Sequence, residues 1–394
     1  MPGSVILSSA RTPIGKLAGA LASFSAMDLG GLAIKAALER AGVTPEQIDY
    51  VIMGHVIQAG QGQITARQAA EKAGIPMSVP ALTVNKVCLS GINSIYLADQ
   101  MIQAGDAEIV VAGGMESMTN APYLLPGARS GYRMGNNEVV DSLIHDSLWC
   151  AFDAVHMGTG TEQYTSQEGA ITRDAQDELA AKSHERAAAG IKEGRFSEEI
   201  TPVSVAQRKG DPLIVDTDEG VRPGTTTESL GKLRPAFSKD GTITAGNASQ
   251  ISDAGAAVIV TTREKAEQIG TAPLAELVGF GMVAGPDTSL LTQPARAIKQ
   301  ALAKSNLAIS DVDLFELNEA FAAVGVASMM DLGLTDDIVN VNGGAIALGH
   351  PVGMSGTRVV AHVINELRRR GGGLGAAALC GGGGQGDAAL VRTL

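Results

Sequence analysis

Three reactive side chains stand beside glycine-rich turns in this sequence of 394 residues. Cys88 lies in "NKVCLSGINS", His350 in "GGAIALGHPVGMSG" and Cys380 in "AALCGGGGQGD". A cysteine placed just before a helix faces free backbone N–H groups and the helix dipole, which lower a thiol pKa from about 8.5. Gly91 would in addition leave room for a ligand. The pattern therefore favours a nucleophilic Cys88 over an inert buried thiol.

A cysteine nucleophile needs a base, and the histidines differ in how well their surroundings suit that role. His184 and His362 fall within predicted helices, where a packed or solvated ring is expected. His55 ends a predicted strand and could be structural. His350 precedes a second Ser-Gly helix start in a glycine-rich loop, which makes it the best candidate for the base.

Backbone N–H groups are the third predicted element of the site. The four glycines after Cys380 bare N–H groups at the carboxyl end of a strand, where α/β proteins bind ligands. No Lys-Ser or Lys-Thr pair follows them, so an oxyanion site fits better than a phosphate loop. Asn318, in "FELNEAFAA", ends another apolar strand at this edge, either as a helix cap or as a group that positions a water or binds an oxyanion.

The elements that must position these residues form a repeated α/β pattern. Apolar runs of strand length alternate with helical patterns, which predicts a largely buried sheet. Two pairs of segments match in the same order and at nearly the same offset: 45–55 with 309–319, and 88–114 with 353–382. Two such matches favour an internal duplication. If the halves pack about a pseudo-twofold axis, the corners that carry Cys88 and His350 face one another.

Composition divides the chain further. The middle of the chain is richer in charge and turn signals than the rest, and we interpret it as an insertion into the first repeat, where recognition is often located. The predicted units are an N-terminal half of residues 1–120 with 247–270, an inserted loop domain of residues 121–246, and a C-terminal half of residues 271–394.

Charge and motif content exclude several classes of protein. A net charge of −12 and 3% aromatic residues argue against a nucleic-acid binder. Three scattered cysteines indicate neither a disulfide framework nor a metal site. The sequence has no GxSxG elbow and no early GxGxxG turn, so a serine hydrolase and a dinucleotide-dependent oxidoreductase are disfavoured. Without a long apolar run or a signal-like start, no membrane association and a cytoplasmic location are expected.

Five motifs, in order along essentially the whole chain, resemble those of the thiolases, and in particular their biosynthetic branch. The motifs are "NKVCLSG", "GGMESMTNAPY", "LNEAFAA", "NGGAIALGHPVGMSG" and "CGGGGQG". The resemblance implies an α/β, thiolase-like fold of two duplicated αβαβα-layered halves related by pseudo-twofold symmetry, with an inserted loop domain. It also implies a reversible Claisen condensation of two acetyl-CoA molecules to acetoacetyl-CoA and CoA through an acetyl-cysteine. No cofactor is implied, because coenzyme A and acetyl-CoA are substrates.

The same resemblance assigns roles to single residues. Cys88 would be the acetylated nucleophile, His350 the base that activates it, and Cys380 the acid/base that moves the substrate α-proton. Asn318 would hold a water that forms one oxyanion hole with His350, and the N–H groups of Cys88 and Gly382 would form the other. Contacts with the acyl-CoA substrate are implied at Arg222, Ser229, Phe237, Ser249, His156, Met157, Ala320 and Phe321.

The chain departs from the family pattern at two places. At "SLLTQP", Leu290 or Leu291 replaces a pocket methionine, a swap that conserves volume and predicts modest changes in acyl preference. "SQISDAG" differs around Ser249. The "HMG" run at 156–158 favours a short-acyl pocket. Two alternatives stay open: a degradative 3-ketoacyl-CoA thiolase for longer chains, and a non-catalytic acyl-CoA-binding subunit.

The resemblance also predicts a homo-oligomer. The segment "LPGARSGYRMGNNEVVDS" matches the region through which biosynthetic thiolases tetramerise. A tetramer is therefore expected, with a dimer as the alternative.

Overall fold

The computed structural model describes residues 4–167 and 169–394, and its core is one ten-stranded mixed sheet flanked by helices. The strands are β1 (Val5–Arg11), β2 (Gly15–Lys16), β3 (Tyr50–Gly54), β4 (Ala81–Val84), β5 (Ile109–Ser117), β6 (Tyr123–Leu124), β7 (Val140–Asp141), β8 (Trp149–Cys150), β9 (Val155–His156), β10 (Val203–Val205), β11 (Leu213–Val215), β12 (Ser252–Thr261), β13 (Ala275–Ala284), β14 (Leu314–Leu317), β15 (Leu374–Gly381) and β16 (Gln385–Thr393). The α-helices are α1 (Ala26–Ala41), α2 (Thr65–Lys72), α3 (Ser90–Ala104), α4 (Met157–Thr165), α5 (Arg173–Lys192), α6 (Thr227–Gly231), α7 (Arg263–Ile269), α8 (Gln293–Lys304), α9 (Ala322–Leu332), α10 (Ala345–Leu348) and α11 (Ser355–Arg369).

The strand order repeats itself about the middle of the sheet. The order is β14-β15-β16-β13-β1-β12-β5-β3-β4, with β2 paired to β12. In the first half β3 runs parallel to β5, while β12 is antiparallel to both β5 and β1. In the second half β14 runs parallel to β15, while β16 is antiparallel to both β15 and β13. β1 and β13 join the halves through a short antiparallel pairing, as a pseudo-twofold relation requires.

The duplication extends to individual hydrogen bonds. The N–H of Asp49 donates to the Ile109 carbonyl at 3.0 Å, and its carboxylate accepts the Ile109 N–H at 2.9 Å. The N–H of Asp313 donates to the Leu374 carbonyl at 2.8 Å, and its carboxylate accepts the Leu374 N–H at 2.8 Å. Asp49 and Asp313 are the residues that the sequence match pairs, so the predicted duplication is confirmed.

The helices and the two half-sheets stack in five layers. Alternate residues of a strand point to opposite faces, and here both faces of both half-sheets are apolar. One face of the first half-sheet packs on α1 and α2, and one face of the second packs on α8. The two remaining faces enclose α3 and α11 between them. The predicted fold class is confirmed, and the five αβαβα layers are built by the two halves together.

The segment between the halves is tied to both of them by a buried ionic cluster. Arg11 of β1 donates to both carboxylate oxygens of Asp218, at 2.7 and 2.9 Å, and to Glu199 at 2.9 Å. The other carboxylate oxygen of Glu199 lies 2.9 Å from Nδ1 of His362 on α11. His362 is thus a packed structural residue, as its helical position predicted. The predicted boundaries of the inserted domain, 121–246, stay a prediction.

The first turns of α3 and α11 pack backbone against backbone, with no room for a side chain between them. A Cβ added at Gly91 would lie 2.7 Å from the backbone nitrogen of Thr357, and one added at Gly356 would meet the backbone nitrogen of Ile92. The sequence analysis expected Gly91 to leave room for a ligand. That expectation is wrong, because the space beside Gly91 is filled by the first turn of α11.

None of the helices within residues 4–167 and 169–394 is long and apolar enough to cross a membrane.

The contact between the first turns of α3 and α11 predicts that one added methyl group has a large effect on stability. Gly356→Ala should lower the free energy of unfolding by about 3 kcal/mol, because backbone on the facing helix cannot move aside as a side chain could. Gly231→Ala is the matched control, since a Cβ there meets nothing within 4 Å. Urea unfolding of both variants tests the prediction, and equal midpoints for the two would contradict it.

Candidate active site

Cys88 lies in a tight loop between β4 and α3. Val87 has a positive φ of 51°, which is unfavourable for a β-branched residue. Ser90 holds the loop, because its Oγ accepts the Lys86 N–H at 2.8 Å and donates to the Val87 carbonyl at 2.6 Å. The Asn85 side chain accepts the Val87 N–H at 3.1 Å. The loop thus fixes the thiol two residues before the helix, where the sequence predicted it.

His350 follows α10 in the second half, and its ring is fixed by a serine. Nδ1 of His350 lies 2.6 Å from Oγ of Ser355, and that hydroxyl donates to the Pro351 carbonyl at 3.0 Å. Because the hydroxyl has a single proton to donate, this network assigns the His350 ring proton to Nδ1 and leaves Nε2 as an acceptor. Ser355 occupies the position in the second repeat that Ser90 occupies in the first.

A narrow cavity of about 50 Å³ brings together side chains from both halves. It has room for only a few water-sized groups. Its lining includes nine of the residues predicted for the site: Cys88, His156, Met157, Ser249, Ala320, Phe321, His350, Cys380 and Gly382. The cavity is also lined by Val87, Ser147, Leu148, Leu290 and Val352. Of the two leucines considered for the methionine position, Leu290 is the one that lines the cavity.

The Cys88 thiol is protonated in this site at neutral pH. Burial raises its pKa to about 12, and the nearby charge of Glu116 adds to the rise. The backbone N–H groups of Cys88 itself and of Gly382 face the sulfur and lower the pKa, but they do not outweigh burial. The sequence-based expectation of a lowered thiol pKa is therefore wrong, because desolvation outweighs the helix start.

The other two reactive groups are also uncharged at neutral pH. Burial and the charge of Arg358 lower the pKa of His350 to about 3, so the imidazole is neutral and can accept a proton. Burial and the nearby Cys88 sulfur raise the pKa of the Cys380 thiol. The site thus holds two thiols and a neutral base, and a thiolate forms only when a proton moves within it.

Asn318 follows β14 and lies beside the His350 ring. Its N–H donates to the Ala378 carbonyl on β15 at 2.9 Å, which sets it at the same sheet edge as Cys380. Its Nδ2 lies 3.4 Å from Nε2 of His350, and its buried Oδ1 has no hydrogen-bond partner among the described residues. The helix-cap alternative is wrong, because the N-cap of α9 is Phe321.

His156 and two aromatic rings form one wall of the site. Nδ1 of His156 accepts the Gly158 N–H at 3.0 Å and caps α4, so Nε2 carries the ring proton. Burial lowers the pKa of His156. Phe237 stacks on this ring at 4.9 Å between centroids, and it meets Phe321 edge-on at 6.2 Å. Phe237 therefore lies outside the cavity lining and contacts two predicted binding residues that belong to it, His156 and Phe321.

Arg222 and Ser229 are not brought into the cavity. Both are exposed, and Ser229 belongs to the capping box of α6. The Arg222 N–H donates to Nδ1 of His184 at 3.1 Å, while burial and the charge of Arg222 lower the pKa of His184 to about 4. Both residues lie in the segment that follows β11, outside the lining of the cavity.

Two supporting residues were missed by sequence reasoning. Glu116 is fully buried, and its carboxylate accepts N–H groups from Val56, Ile57 and Gly353, which ties the two halves together beside the cavity. Ser355 could have been found from the duplication, because it matches Ser90. Among the described residues, no group of three or more His, Cys, Asp and Glu side chains is arranged to hold a metal ion.

Comparison with known proteins finds family models, relatives and a solved structure that match essentially the whole chain. The family models described as "Thiolase, N-terminal domain" and "Thiolase, C-terminal domain" match residues 4–264 and 271–393. The chain is 55% identical to "Probable acetyl-CoA acetyltransferase" of Mycolicibacterium smegmatis, over 98% of this chain and 100% of the relative. It is 50% identical to "Acetyl-CoA acetyltransferase" of Cupriavidus necator over 100% of both chains. The crystal structure of the Bacillus anthracis acetyl-CoA acetyltransferase matches with a TM-score of 0.97 and 39% identity, covering 100% of this chain and 99% of that one.

The raised thiol pKa predicts how alkylation of Cys88 depends on pH. With a pKa near 12, the thiolate fraction and hence the rate with iodoacetamide should rise about tenfold per pH unit from pH 7 to 9, with no plateau. Peptide mass spectrometry identifies the labelled residue, and Cys88→Ser is the control for labelling elsewhere. A plateau below pH 8 would show that a stable thiolate exists in the resting site.

Proposed function

The chain belongs to the thiolase family, and we propose that it catalyses the reversible Claisen condensation of two acetyl-CoA molecules to acetoacetyl-CoA and CoA. The observation that carries this proposal is the meeting of two thiols and a neutral imidazole, from opposite halves, in one small cavity. Relatives named acetyl-CoA acetyltransferase share 50–55% of their residues with this chain over nearly its full length, which supports the same reaction.

The first half-reaction acetylates Cys88. The Sγ–H proton moves to Nε2 of His350 as the sulfur attacks the thioester carbon, and the carbon–sulfur bond to CoA breaks. Cys380 gives its proton to the departing CoA thiolate and becomes a thiolate itself. The backbone N–H groups of Cys88 and Gly382 donate to the oxyanion that forms on the thioester oxygen. Removing one such donor typically costs about 10²–10³ in turnover.

The second half-reaction forms the new carbon–carbon bond. The Cys380 thiolate removes an α-proton from a second acetyl-CoA, and its burial makes it a strong base for that step. The enolate oxygen is stabilised by the His350 ring and by a water held on Oδ1 of Asn318. The enolate carbon attacks the acetyl group on Cys88, the carbon–sulfur bond breaks, and Cys88 takes back its proton from His350. Protons and bonds balance without a metal or redox cofactor, and CoA and acetyl-CoA are substrates.

The size of the cavity favours a short acyl group. A cavity of about 50 Å³ suits an acetyl group better than the longer chains of a degradative 3-ketoacyl-CoA thiolase. A non-catalytic acyl-CoA-binding subunit would be expected to lack one of Cys88, His350 and Cys380, and all three line the cavity. We place the pantetheine arm and nucleotide of CoA on the outer side, against Phe237 and the exposed Arg222 and Ser229.

The assembly is proposed to be a homotetramer. Large apolar side chains are exposed along residues 123–152, where a second copy of the chain would cover them: Tyr123, Leu125, Tyr132, Met134, Val139, Trp149 and Phe152. Met134 is fully exposed, which is unusual for a side chain of its type. We also propose a cytoplasmic location, since a reaction that uses two free thiols requires a reducing compartment.

Thiolysis of acetoacetyl-CoA by free CoA tests the proposed reaction and its nucleophile together. Loss of the magnesium-enolate absorbance should be fast for the wild type and at least about 10³-fold slower for Cys88→Ser, because the acetyl-enzyme cannot form. Cys150→Ser is the matched control, since Cys150 is buried outside the cavity lining. Turnover that is faster with longer 3-ketoacyl-CoA substrates would favour the degradative alternative, and no turnover with any of them would favour the binding subunit.

Light scattering coupled to size-exclusion chromatography tests the assembly. The expected mass is four times the 40.3 kDa of one chain. Met134→Asp should shift the protein towards smaller species, because a charge would be buried in the proposed contact. A wild-type mass of 40 kDa would exclude the oligomer.

A further inference from the structure

We propose that the ion pair between Lys86 and Asp387 positions the two N–H donors of the oxyanion hole at Cys88, an inference that rests on the proposed function. Those donors, the N–H groups of Cys88 and Gly382, come from different halves of the molecule. A hole divided in this way needs a link that sets the distance between the halves. Lys86 and Asp387 are positioning residues, because they act through these backbone groups.

The geometry of the pair suits that role. Nζ of Lys86 lies 2.8 Å from each carboxylate oxygen of Asp387. Lys86 precedes Cys88 by two residues in the first half. Asp387 lies on β16 in the second half, where it pairs with Leu379, and the adjacent Gly386 pairs with Cys380. The ion pair therefore joins the loop that carries Cys88 to the strand next to the one that carries Cys380.

Apart from the Gly382 N–H that faces the Cys88 sulfur, the remaining contacts described between these loops are apolar. The side chain of Val87 packs against Gly382, and that of Leu89 packs against Gly381. Apolar contacts of this kind set a minimum distance but no orientation. The bonds of Ser90 are internal to the Cys88 loop, and Asn85 bonds only within that loop and to the Val56 carbonyl of the same half. A two-point contact between an ammonium and a carboxylate supplies the missing restraint.

Burial makes the pair specific to this arrangement. The Asp387 side chain is 4% exposed and that of Lys86 is 23% exposed. Burial raises the pKa of Asp387, while Lys86 and a hydrogen bond from Asn93 lower it. The rise from burial is the larger effect, so the pKa of Asp387 stays above its usual value. Lys86 and Asn93 both belong to the first half, so the polar partners that offset the cost of burying this carboxylate come from across the boundary between the halves.

Loss of the pair should slow the acetylation of Cys88 without weakening substrate binding. A misplacement of about 1 Å at a reacting group can cost about 10²-fold in rate. Lys86→Met should therefore lower the rate of Cys88 acetylation and kcat for thiolysis by about tenfold to 10²-fold, with KM unchanged. Asp387→Asn keeps the shape of the carboxylate and removes its charge, so it should have the same effect. Lys86→Arg should restore most of the rate.

The experiment uses p-nitrophenyl acetate, which acetylates a thiol without CoA. Release of nitrophenol gives the rate, intact mass counts the acetyl groups added, and peptide mass spectrometry locates the acetyl group on Cys88. The same variants are assayed for acetoacetyl-CoA thiolysis and for thermal unfolding. Lys72→Met is the matched control, because it removes the partner of Asp28 in an ion pair away from the cavity.

The outcomes distinguish a positioning role of the ion pair from a purely structural role, and both from a failure of the proposed function. Slower acetylation with unchanged KM, recovered in Lys86→Arg and absent in Lys72→Met, supports the proposal. Wild-type acetylation in both Lys86→Met and Asp387→Asn overturns it, and so does a raised KM with unchanged kcat. If Lys86→Met does not fold, Asp387→Asn decides. If the wild type is acetylated but has no thiolysis activity, the proposed function fails, and acetylation alone decides about the pair.

Discussion

The contact between the first turns of α3 and α11 is the constraint on which the rest of the structure depends. Gly91 and Gly356 let backbone meet backbone there, and any side chain would push the two half-sheets apart. The loops that carry Cys88 and His350 lead directly into these two helices. Their separation is therefore set by the crossing, and the small cavity exists because the crossing is close.

The electrostatics of the cavity follow from the same closeness. A site enclosed by two packed halves excludes water, and desolvation then sets the pKa of every titratable group within it. Both thiols are held protonated and the imidazole is held neutral. None of these three groups is therefore charged before substrate binds. In the proposed reaction, charge appears when substrate binds and protons move between groups already in place, close to donors that do not need to reorganise.

The sequence predicted the fold class, the duplication and the main side chains of the site because each of these has a local signal. Strand and helix periods, paired Asp residues and Ser-Gly helix starts are readable one segment at a time. The pKa of Cys88 and the surroundings of Gly91 were predicted wrongly, because both depend on the other half of the molecule. Glu116 was missed for the same reason, since its partners Val56 and Gly353 are distant in sequence. Contacts between segments far apart in the chain leave no periodic pattern.

The duplicated halves have kept the same scaffold and diverged in chemistry. Ser90 and Ser355 are the first residues of α3 and α11, and each holds its own loop through a hydrogen bond to a nearby carbonyl. In the first half this loop presents a thiol, and in the second the serine also fixes a histidine ring. A thiol and an imidazole thus reach one cavity from matching segments of the two halves. A change in the relation between the halves would change the distance between the thiol and the imidazole, and the buried carboxylate of Glu116 opposes such a change because it binds backbone N–H groups of both halves.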